Sequence, residues 1–93
     1  MRLRISSKLA AHRKQIISYL KMFDIPQDFE VNIRHTDRPG WRGRAYYYRH
    51  IPGGRKHYFK IVLTLPDINK LEAAWMHEWN HVCGFGHRDM GVG

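Results

Sequence analysis

Apolar positions along the chain recur with two periods, and the switches between them mark out the elements. Leu9, Ile16, Ile17 and Leu20 return at helical spacing, while Lys8, Lys14 and Lys21 fall toward solvent. This predicts a first helix capped by Ser6 or Ser7, running to about Phe23 and ended by Asp24-Ile25-Pro26. Phe29, Val31 and Ile33 then alternate with Glu30, Asn32 and Arg34, the period of a strand with one buried face. Asp37-Arg38-Pro39-Gly40 reads as a turn. Trp41 to Ile51 reads as a second strand, Pro52-Gly53-Gly54 as a hairpin turn, and His57 to Leu65 as a third strand stopped by Pro66. The helical period returns at Ile68, Leu71, Trp75, Trp79 and Val82. Asn69 with Glu72 forms a capping box for this last helix, and Asp67 is the alternative cap. The expected order is α-β-β-β-α within one domain spanning residues 1–93, an α+β fold. A small antiparallel or mixed sheet of three strands carries a backing helix and this last helix.

The polar side of the last helix carries the chemistry. A helix turns about 100° per residue, so His77 and His81 lie about 40° apart and one turn along the axis. Two imidazoles so placed can grip one metal ion. Glu78 lies on the flank of that face, placed to take a proton from a water at the metal. Ala73 and Ala74 are expected to share the histidine face and keep it open. Gly84 can take the left-handed conformation that ends a helix and folds the chain back, bringing His87 to the metal as third ligand. Three protein ligands leave a position for water, the mark of a catalytic zinc site.

Residues 77–87 read H-E-x-x-H-x-x-G-x-x-H, and this string resembles the extended zinc signature of metzincin metallopeptidases and, more broadly, of zincins. The resemblance implies a zincin-like core, Zn²⁺ as cofactor, His77, His81 and His87 as ligands and Glu78 as general base. It departs from the metzincin pattern downstream. Met90 follows His87 by only three residues, where the family's methionine turn lies well downstream; Met90 can still cap the site from below, and no lower subdomain is expected. In outline the chain is more similar to small SprT-like peptidase domains, although those draw their third ligand from further along. The histidine spacing also resembles the H-G-x-x-H-x-x-G-x-D-H pattern of YbeY endoribonucleases. Position 78 discriminates: it is Glu here and Gly there. A carboxylate beside the water favours peptide hydrolysis, which needs a proton acceptor for the water and a donor for the leaving amine.

Composition adds an opposing signal. Sixteen Lys and Arg face eight Asp and Glu, a net charge of +8. Aromatics interleave with the cations at Trp41, Tyr46, Tyr47, Tyr48, Tyr58 and Phe59. Such a surface serves solubility, or it attracts nucleic acid weakly and without sequence preference. The cations are spread along the chain rather than gathered into a tail. One cysteine rules out an internal disulfide framework, and Cys83 is expected to be a small packed residue. No apolar run approaches a membrane span, and the basic N-terminus lacks a signal peptide's apolar stretch, so no membrane partner is expected and the cytoplasm is the default compartment.

These readings make the chain a zinc-dependent metalloendopeptidase acting on a protein or peptide substrate. The alternatives are a metal-dependent endoribonuclease and a metal-stabilised binding module without activity. An edge strand should border the cleft and hold an extended substrate. Either the strand entering the metal helix or its hairpin partner would serve. Tyr46, Tyr47, Tyr48, Tyr58 and Arg44 are equal candidates for stabilising the developing oxyanion. His12, His35, His50 and His57 lack ligand spacing and read as surface or satisfied polar residues, and Asp89 is a lesser candidate for third ligand. Oligomeric state is not legible in the chain.

Overall fold

The computed structural model describes residues 1–48 and 56–84. Four strands and two α-helices follow in the order β1 (Arg2–Ile5), α1 (Arg13–Leu20), β2 (Glu30–His35), β3 (Arg42–Tyr47), β4 (Tyr58–Leu65) and α2 (Leu71–Val82). Short 3₁₀ segments lead into both helices, at Ser7–His12 and Ile68–Lys70. The α+β class is as expected, with a mixed sheet in the strand order β1-β2-β4-β3.

The fourth strand, β1, corrects the expected three-stranded sheet. Arg2-Leu3-Arg4-Ile5 does alternate, but the run is short and its arginines read as ordinary surface charge. Its pairing partner lies far along the chain. β1 runs parallel to β2, with Leu3 opposite Val31 and Ile5 opposite Ile33. β2 is in turn parallel to β4, and β4 is antiparallel to β3. The N-terminal amine donates to Gln27 O at 2.9 Å, and Arg2 N donates to Phe29 O at 2.8 Å.

Both helical segments pack on one face of this sheet. Val31, Ile33, Ile61, Leu63 and Leu65 point into the layer formed by Leu9, Ile16, Leu20, Leu71, Ala74 and Trp75. Phe29 joins them at the mouth of β2. The first helix differs from its expected extent at both ends. It opens as a 3₁₀ segment without a side-chain cap from Ser6, and its regular part stops at Leu20. Met22 N and Phe23 N then donate to Tyr19 O and Leu20 O, a tightened last turn that carries the chain to Phe23. Of the two caps foreseen for the second helix, Asp67 is the one used. Its Oδ1 accepts from Asn69 N at 2.8 Å, whereas Lys70 at the start of α2 makes no side-chain cap.

A bulge breaks the β3–β4 ladder. Tyr46 pairs with Lys60 but Tyr47 pairs with Tyr58, so Phe59 is an extra residue. An extra residue shifts the alternation of side chains by one. Tyr58 thereby turns to the helix side and packs against the core, while Phe59 stacks on Tyr48 with ring centroids 4.7 Å apart. Gly40 takes φ +84 in the turn before β3, and Gly84 takes φ +94 directly after α2. Gly84 N donates to His81 O at 3.0 Å, so glycine ends the metal-motif helix as its position in the motif suggested.

Candidate functional site

α2 carries His77, Glu78 and His81 to a cleft beside β3. Its back face is the aromatic stripe: Trp75 is fully buried and stacks on Trp79 at 5.3 Å, and Phe23 meets both rings edge-on at 5.6 and 5.9 Å. This anchoring fixes the rotation of the helix, and the rotation decides where the motif residues point. The buried arc is wider than the stripe alone. Ala74 is wholly buried in the core and Ala73 is exposed, which corrects the expectation that both keep the histidine face open. Glu78 is also inside that arc, with 6% of its surface exposed.

The reason is the close approach of β3. Gly43 lies against Glu78, and a Cβ built on Gly43 would stand 2.7 Å from Glu78 Cγ and 2.9 Å from Oε1. Only a glycine leaves room for the carboxylate there. The signal was present in the sequence as an isolated glycine within a strand, which marks a bulge or a close approach. Gly43→Ala is therefore expected to displace Glu78 while leaving both histidines in place. Misplacing a reacting group by about 1 Å can cost on the order of 100-fold in rate. On the hydrolytic, zinc-binding reading that the motif implies, the substitution should lower turnover by a factor of that order with metal binding retained, measured by turnover assay and metal titration on the same preparation.

His77 and His81 stand with ring centroids 5.1 Å apart and planes inclined at 76°. Two imidazoles sharing a zinc at Zn–N of about 2.0–2.1 Å in tetrahedral geometry place their centroids roughly 5 Å apart. The separation of the two rings therefore matches that of a pair sharing one ion, and imidazole nitrogen is a donor that zinc takes. Trp41 packs edge-on against His77 at 5.5 Å, a support not foreseen from the sequence. Among the described residues no three His, Cys, Asp or Glu side chains converge as a metal-holding group. His87, Met90 and Asp89 lie outside the described residues, as does His50.

The cleft has a volume of about 380 Å³ and is lined by Gly43, Arg44, Ala45, Tyr58, His77, Glu78 and His81. Of the five oxyanion candidates, Tyr58 and Arg44 border the cleft, but register sets the Arg44 side chain on the opposite face of the sheet, which leaves Tyr58. Tyr46 pairs with Lys60 and carries the Arg44 guanidinium over its ring at 5.4 Å, while Tyr48 is stacked on Phe59. Tyr47 contacts Tyr58 edge-on at 5.3 Å without lining the cleft. Among the described strands β3 is the edge of the sheet on the cleft side and β4 is interior, so the hairpin partner takes the position expected of a substrate-pairing strand.

The remaining candidates stay apart from this cleft. His35 Nδ1 lies 3.9 Å from Asp37 Oδ1, His57 rests against the Tyr48 ring, and His12 ends the first 3₁₀ segment. Cys83 is exposed, not packed as expected, because it follows the last residue of α2 and lies beyond the core-facing stripe. No helix among the described residues is long and apolar enough to cross a membrane. No family model matches the chain, and neither curated proteins nor solved structures give a match.

Proposed function

We propose that this chain is a zinc-dependent metalloendopeptidase working in the cytoplasm. The observation that carries the reading is the cleft itself: His77, Glu78 and His81 line one side and the edge strand β3 lines the other. His77 and His81 hold the ion, with His87 as the third ligand that the motif supplies. Zinc, when bound, contributes Lewis acidity toward the scissile carbonyl and makes water a better nucleophile near neutral pH. Glu78 takes the proton of the attacking water and passes it to the leaving nitrogen. Its burial against Gly43 limits the positions the carboxylate can take, so little ordering is needed at the moment of reaction. The outer edge of β3 offers main-chain N–H and C=O groups to an extended peptide. Tyr58 donates to the developing oxyanion. The single exposed thiol of Cys83 suits a reducing compartment.

The reading is tested on the purified full chain by metal analysis, melting and hydrolysis of a peptide library. One zinc per chain is expected. An ion that binds only the folded state at about 100 times its Kd adds roughly 2.7 kcal/mol. For a domain of this size that is a rise in melting temperature of about 10 °C or more. Chelation should remove both this increment and the peptidase activity, and added zinc should restore them. Unchanged melting after verified metal removal, or cleavage of RNA in place of peptides, would overturn the assignment.

A further inference from the structure

The sheet has a second face, and the helices leave it alone. Register places Arg2 and Arg4 of β1, Arg34 of β2, Arg42 and Arg44 of β3 and Lys60 of β4 on the side opposite the core. All five arginines are exposed. In the same register only Glu30 is acidic, and Lys60 answers it at 3.1 Å. That hydrogen bond and the surrounding cations hold the Glu30 carboxyl below the usual carboxylate range. Cations from four strands thus converge on one surface, although they are scattered in sequence from position 2 to position 60.

The same face carries aromatic rings at one end. Tyr46 sits between the Arg44 guanidinium at 5.4 Å and the Lys60 ammonium at 5.5 Å. The bulge brings Phe59 to the Lys60 side, where it stacks on Tyr48, itself 55% exposed. In the middle of the face Asn32 is almost wholly buried among these long side chains, and its Oδ1 accepts no hydrogen bond from the described residues. Like charges gathered so closely repel one another, and a fold gains no stability from placing them together. An anionic partner would relieve that repulsion.

We propose that this outer face of the sheet binds single-stranded nucleic acid, independently of the cleft on the helix side. Strands lie about 4.8 Å apart, and alternate residues on one strand about 7 Å apart. The arginines therefore form a lattice on the scale of successive backbone phosphates. The Tyr46, Tyr48 and Phe59 rings offer stacking surfaces that any unpaired base can use. An unpaired strand exposes base faces that a duplex keeps stacked, and a lipid headgroup has none. The rings thus favour a single strand over duplex or an anionic membrane.

The test is fluorescence anisotropy with the full chain and a labelled single strand of about twelve nucleotides, within the site sizes usual for sheet-based binders. The same sequence as duplex and phosphatidylserine vesicles are the competing arms. Each phosphate neutralised on a single strand contributes about −0.7 to the slope of log affinity against log salt, so five arginines predict a slope of roughly −3.5. The triple substitution R4E/R34E/R42E should weaken binding by about tenfold or more and flatten that slope. R4Q/R34Q/R42Q gives the same reading with less repulsion should the charge-reversed protein melt early. Y48A/F59A should weaken binding at least about fivefold while keeping the salt slope, because it removes stacking and no charge. Absence of binding at low salt, unaltered binding by a folded triple variant, or preference for duplex or vesicles would overturn the proposal.

Discussion

Glu78→Gln is expected to abolish peptide hydrolysis while leaving zinc bound at full stoichiometry. The amide is nearly isosteric with the carboxylate, so the close fit against Gly43 is preserved and both histidines remain in place. What is lost is the proton acceptor. General-base catalysis is worth on the order of 10² to 10⁴ in rate, and the fall in kcat should lie in that range or beyond it with little change in KM. His81→Ala provides the contrast, because removing a ligand should cost the metal and the activity together. Metal content, melting temperature and turnover on the same three proteins separate the roles. A Glu78→Gln protein that retains full peptidase activity would end the assignment of Glu78 as base. A Glu78→Gln protein that loses zinc would make the residue a ligand instead.

The largest structural effect should come from Trp75→Ala. Trp75 is fully buried, stacks on Trp79 and meets Phe23 edge-on, and so ties α2 to the end of α1. Truncating a buried tryptophan costs about 3–5 kcal/mol. Domains of this length are stable by only about 5–14 kcal/mol, at roughly 0.05–0.15 kcal/mol per residue. The variant should therefore melt at least about 12 °C lower, at about 4 °C per kcal/mol. Trp75→Phe should recover much of that loss, since the indole Nε1 has no hydrogen-bond partner among the described residues and its removal strands no acceptor. Urea denaturation compares the three proteins. A loss under about 1 kcal/mol for Trp75→Ala would mean that the aromatic stripe does not set the rotation of α2.

Local pattern made much of this protein legible. The period of β2 and the stripe Leu71, Trp75, Trp79 and Val82 were readable because each element buries one face, and burial imposes its period on the sequence; β4 showed as a nearly continuous apolar and β-branched run stopped by Pro66. The choice of His77, Glu78 and His81 as the chemistry-bearing residues needed only helical geometry, and the structure brings those three to one cleft. The left-handed Gly84 was foreseen for the same local reason. The roles assigned to these residues are matters for the experiments above.

Long-range pairing was hidden. β1 is four residues long and gains its place only by pairing with β2, which lies beyond a whole helix. Nothing in Arg2-Leu3-Arg4-Ile5 alone distinguishes that outcome from a basic tail. The sequence could narrow the cleft-side edge to two strands; strand order made it β3. Gly43 showed as a glycine in a strand, but that Glu78 occupies the space of its missing side chain depends on how α2 lies across the sheet. The cations carry the same lesson. Along the chain they are dispersed and suggest no motif, because a strand's period states only which residues share a face. Which strands lie side by side is decided by tertiary packing, and here it draws five arginines together on one surface.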